Sequence, residues 1–128
     1  MKTRPEAKSG VLTTRLHGIL DYLAGTLLLI STWILPYPDD VMRNLALILG
    51  GGIVLYSLVT DYPLSLLRFI PFPFHRAADL LVGVLLLFAP IHFAVHGAPA
   101  VLFVACGLIL LSVSFFTRAQ ERPRVSDN

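Results

Sequence analysis

His17-Gly-Ile-Leu-Asp21-Tyr-Leu-Ala-Gly25 and His75-Arg-Ala-Ala-Asp79-Leu-Leu-Val-Gly83 carry one pattern, His-x3-Asp-x3-Gly, 58 positions apart. Each copy opens a long apolar run. Residues four apart share a helix face, so His, Asp and Gly form one polar stripe on each of two otherwise apolar helices. The whole chain of 128 residues is 55% hydrophobic and 14% charged, with a mean hydropathy of +0.75. Such a composition suits a chain whose outer surface faces lipid rather than water. The expected fold class is an all-α membrane protein.

The first run, His17 to Leu35, is long enough to cross about one hydrocarbon thickness and lacks a small-x-small cleavage site at its end, so it reads as a retained span. A polar turn holding Pro36, Pro38, Asp39 and Asp40 follows, then a second span from Asn44 to Thr60. Gly50-Gly51-Gly52 in that span is a surface on which a neighbouring helix can pack closely. Residues 61 to 74 form an interfacial connector in which Phe69, Phe72 and Phe74 dip into the headgroup region while Arg68 meets phosphates. Ala77 to Val95 is the third span and, after the tight Gly97-Ala98-Pro99 turn, Ala100 to Thr117 is the fourth.

Residues 1–16 and 118–128 are polar tails around a first hairpin, 17–60, and a second, 75–117. A shift of 58 also aligns Leu27-Leu28-Leu29 with Leu85-Leu86-Leu87, and a shift of 57 aligns Gly50, Ser57 and Thr60 with Gly107, Ser114 and Thr117. The chain is therefore expected to be four transmembrane helices arranged as two tandem parallel helical hairpins, related by a pseudo-twofold axis along the membrane normal. Of the 10 Lys and Arg residues, only Arg43 falls on the far side, which places both termini in the cytoplasm. Trp33 and Tyr37 then lie at the outer interface. Asp61 and Arg118 are expected to pair at the cytoplasmic rim.

Leu29-Ile-Ser31-Thr32-Trp33-Ile-Leu35, following the Asp and Gly of the first span, resembles the repeat of the SPW (Ser-Pro-Trp) family of small bacterial membrane proteins. Phe88-Ala89-Pro90-Ile91 occupies the equivalent place in the second half, and the likeness runs over nearly the whole chain. The resemblance implies a two-hairpin domain of a bacterial inner (plasma) membrane, with no established activity and no catalytic residues of its own.

The stripe admits several readings. Glycine at its third position would let the first and third helices approach, bringing His17 to Asp79 and His75 to Asp21 as reciprocal hydrogen bonds that fix helix register. A structural or scaffold role follows, with no cofactor. Alternatively, His17, Asp21, His75 and Asp79 give four N/O ligands for a divalent metal such as zinc or iron. A further alternative makes His17 and His75 axial ligands of haem b. His92 and His96 form a second i, i+4 set, read as solvated interface histidines. The lone Cys106 sits in an apolar run as a small buried hydrophobe.

No nucleophile–base arrangement and no phosphate-binding loop stands in the chain, so it is not expected to be an enzyme. The modest net charge of +2 argues against nucleic acid as a partner. The expected partners are the lipid bilayer and a homo-oligomer or membrane-protein partner.

Overall fold

The computed structural model describes residues 12–117. Four helices run through them: α1 (Thr14–Ile34), α2 (Asp40–Leu58), α3 (Phe72–His92) and α4 (Ala98–Phe116). All four are long and apolar enough to cross a membrane. Large apolar side chains such as Ile34, Leu55, Leu81 and Val101 point outward, as a lipid-facing surface requires. The chain is an all-α membrane protein.

Two of the helices, α1 and α2, begin at a side chain that caps their first amides. The Thr13 hydroxyl caps α1 by accepting from Leu16 N–H at 3.2 Å, and the Asp39 carboxylate caps α2 by accepting from Met42 N–H at 2.8 Å. All four helices start earlier than apolar periodicity alone suggests, α1 at Thr14 rather than His17. Asp39 and Asp40 cap and open α2 rather than breaking it off, four residues before the expected Asn44. Pro71 and Pro73 act likewise at α3, and Pro99 at α4, because a proline in the first turn has no amide to waste and a preset φ. Between α3 and α4 the chain turns through Ala94 and Gly97 at positive φ.

Between α2 and α3 the connector folds back on the end of α2. Leu66 and Leu67 N–H donate to the Leu58 carbonyl, and Phe69 and Ile70 N–H to the Val59 carbonyl, at 2.9 to 3.0 Å. Carbonyls left open at a helix end near lipid are satisfied this way. Leu66, Phe69 and Phe74 stay exposed beside Arg68, whereas Phe72 is buried and packs into the bundle. Arg68 Nε lies 3.8 Å from Asp61 Oδ1. Arg118, the partner expected for Asp61 from the sequence, lies outside the described residues.

Packing is strongest within each hairpin, α1 on α2 and α3 on α4. The glycines of the stripes serve this pairing. A Cβ on Gly25 would sit 3.0 Å from the Gly50 carbonyl oxygen of α2, and one on Gly83 would sit 3.1 Å from the Gly107 carbonyl oxygen of α4. The expectation that these glycines draw α1 and α3 together is thus corrected: they close each hairpin instead, and no Cα of α1 comes within 8 Å of α3. Of the triple glycine, Gly50 alone is buried and crowded, while a Cβ on Gly52 would meet nothing.

The two hairpins do not meet symmetrically. α1 lies along α4, while α2 and α3 touch over a short stretch and leave an apolar groove bordered by Asn44, Ile48, Phe88 and His92. Ala24, Leu28, Leu86, Phe103 and Leu110 fill the centre of the bundle.

Candidate functional site

The stripe positions fall on the buried faces of α1 and α3. On α1 this face runs through Thr14, His17, Asp21, Ala24 and Leu28, and on α3 through Phe72, His75, Asp79, Gly83 and Leu86. The 3.6-residue period places His and Asp on one face a turn apart. Because the two helices are diagonal neighbours, their long polar side chains meet at the bundle axis.

There the four side chains close into a quartet. His17 Nε2 lies 2.8 Å from Asp79 Oδ2 and 3.2 Å from Asp21 Oδ2. His75 Nε2 lies 2.8 Å from Asp21 Oδ2 and 3.2 Å from Asp79 Oδ2. Nitrogen and oxygen alternate around the circuit, and the shorter contact in each half is the one made to the other hairpin. All four side chains are fully buried.

A second set of groups orients the imidazoles. Thr60 Oγ1 donates to the Tyr56 carbonyl at 2.6 Å, so its lone pair faces His75 Nδ1 at 2.8 Å and takes that N–H. With Nδ1 donating outward, Nε2 of His75 points into the quartet. His17 Nδ1 meets Thr117 Oγ1 at 2.9 Å, the equivalent contact of the second half. The Tyr56 hydroxyl donates to Asp79 Oδ1. The second oxygen of the other carboxylate, Asp21 Oδ1, is buried with no hydrogen-bond partner among the described residues.

Aromatic rings pack around the imidazoles. Phe72 lies edge-on to His17 at 5.2 Å and stacks near His75 at 5.9 Å, while the connector's Tyr62 lies 5.5 Å from His75. The Tyr62 ring fills the space above Gly18, where a Cβ would overlap it. Gly18 is the repeat counterpart of Arg76, whose Nε and Nη2 donate to the Ser114 carbonyl at 3.0 and 2.6 Å.

All four residues singled out from the sequence therefore come together. Thr60, Thr117, Tyr56, Tyr62 and Phe72 are additional members that the sequence reading gave no role at the site. The match of Thr60 to Thr117 in the repeat was the available signal. His92 and His96 are exposed and stand apart from the quartet. The His17 and His75 ring centroids are 5.3 Å apart, and each Nε2 faces a carboxylate oxygen of the other hairpin.

In a comparison with known protein families, the SPW repeat domain matches residues 15–117. The chain belongs to the SPW repeat family. The match covers both hairpins, so the two halves of this SPW protein are parts of one family unit. No curated protein and no solved structure matches the chain.

Proposed function

We propose that this SPW protein is a non-catalytic structural protein of the bacterial inner membrane, in which the quartet fastens one hairpin to the other. One observation carries the reading: α1 and α3 do not approach at the backbone, yet their His and Asp side chains meet at 2.8 Å in both directions across the axis. Hydrogen bonds to both carboxylates require a proton on each Nε2, and Nδ1 of His75 already donates to Thr60. His75 is then an imidazolium set against the buried carboxylates, an arrangement that a low-dielectric interior tolerates only when the charges are closely paired. Polar contacts of this kind hold helices together where lipid offers no hydrophobic drive.

On this reading both termini face the cytoplasm, supported by the side on which the basic residues gather. The bilayer is the first partner, and a second copy or another membrane protein is the partner class a scaffold serves. The test is thermal unfolding of chelator-treated protein in detergent, wild type against Asp21→Asn/Asp79→Asn. The variant should keep its helical spectrum at low temperature and unfold at a clearly lower midpoint. An unchanged midpoint would remove the clamp.

A further inference from the structure

We propose that the quartet is also the ligand set for one buried divalent cation of the zinc class, held by Nε2 of His17 and His75 and by a carboxylate oxygen of each of Asp21 and Asp79. The inference rests on the clamp reading, since the clamp assembles the four donors.

Convergence is the first reason. The four donor atoms all lie within 4.8 Å of one another, with neighbours around the circuit at 2.8 to 3.2 Å. An ion bound at about 2.0–2.2 Å holds its ligands about 2.8–4.4 Å apart, so the circuit contacts already fall in that range and the widest separation, up to 4.8 Å, has to close only slightly on binding. Two separate His-Asp hydrogen bonds would not need each Nε2 to reach both carboxylates.

The surroundings are the second reason. Each imidazole is engaged at Nδ1 by a threonine hydroxyl, the outer contact that fixes a ligating histidine with Nε2 inward. Tyr56 holds the other oxygen of Asp79 in the same manner.

The third reason is what hydrogen bonding leaves undone. Asp21 Oδ1 is a carboxylate oxygen in a fully buried side chain without a hydrogen-bond partner among the described residues. A buried carboxylate in that condition is costly, and a cation beside it supplies the missing charge. Charge balance agrees: with both imidazoles neutral and their Nε2 protons released as the ion enters, two carboxylates and one divalent cation sum to zero. Imidazole nitrogens favour zinc-like ions over magnesium and calcium, which prefer oxygen cages.

The experiment uses the full chain in detergent, stripped with a chelator, exposed to Zn2+, desalted and submitted to elemental analysis. The expected result is one zinc per chain, retained in excess Mg2+ and lost in Asp21→Asn/Asp79→Asn. The variant Thr60→Val/Thr117→Val keeps every ligand, and competition with a chromophoric chelator should show its zinc affinity lowered by about tenfold to a hundredfold. His92→Gln/His96→Gln should bind zinc like wild type. No zinc above the blank in helical wild-type protein would overturn the metal site, as would a zinc content that follows His92 and His96. The clamp is judged separately on metal-free samples: zinc binding with identical melting of wild type and the Asp variant would overturn the clamp and keep the site.

Discussion

Val113 holds in the second hairpin the position that Tyr56 holds in the first, and this one difference gives the two buried carboxylates unequal partners. Asp79 receives the Tyr56 hydroxyl, while Val113, the repeat counterpart of Tyr56, has no donor to offer Asp21. The quartet is therefore symmetric in its four inward atoms and asymmetric immediately outside them. Tyr56→Phe should remove the difference by leaving both outer oxygens without a donor, at about 1–3 kcal/mol. Chemical unfolding in detergent measures it, and a variant as stable as wild type would show that Asp79 does not need the hydroxyl.

The glycines make a sharper contrast. Gly25→Ala and Gly83→Ala each push a methyl against the partner helix backbone within a hairpin, and both should destabilise the fold by about 1–3 kcal/mol. Gly52→Ala meets nothing and should be neutral or stabilising by up to about 1 kcal/mol, since alanine is the better helix former. Equal effects in all three would contradict the hairpin packing.

Arg76 ties the start of α3 to the end of α4 through two hydrogen bonds to one carbonyl. Arg76→Met keeps the aliphatic stem and loses the donors. A loss of about 1–2 kcal/mol is expected, with faster amide exchange in the last turn of α4 and little change in α1. Exchange that rises uniformly along the chain would argue against a local tie.

How far the sequence revealed this arrangement depends on the residue. The cross-pairing of His17 with Asp79 and His75 with Asp21 was legible, because a period of four on two helices puts those groups on facing stripes. The partner of the stripe glycines was not. A stripe says that Gly25 shares a face with Asp21, but a helix in a bundle has two neighbours, and only the contacts assign Gly25 to Gly50. Phe72 falls in the 61–74 connector expected to lie among headgroups; Pro71 and Pro73 are compatible with a helix start, so α3 begins before Ala77 and draws Phe72 inside. Tyr62 escaped notice since a connector residue shows no periodicity that would mark it as buried.

Outside the spans, Tyr37 offers a pH test. Its hydroxyl lies 2.7 Å from Ser31 Oγ, and burial raises its pKa above the ordinary 10.0. A raised folded-state value means that the unfolded chain ionises first. The contribution of Tyr37 is thus complete below about pH 10 and fades as pH climbs through the folded value. Tyr37→Phe should flatten the alkaline limb of the stability profile; an identical limb in the variant would place the pH dependence elsewhere.

The clamp itself is measured most directly by a double-mutant cycle on metal-free protein, using His17→Gln, Asp79→Asn and the combination, with unfolding free energies determined in one detergent. Because the two side chains meet at 2.8 Å across hairpins, the cycle should return a coupling of about 1–3 kcal/mol. Effects that add to within about 0.5 kcal/mol would contradict the clamp, leaving α1 and α3 held by their neighbours alone.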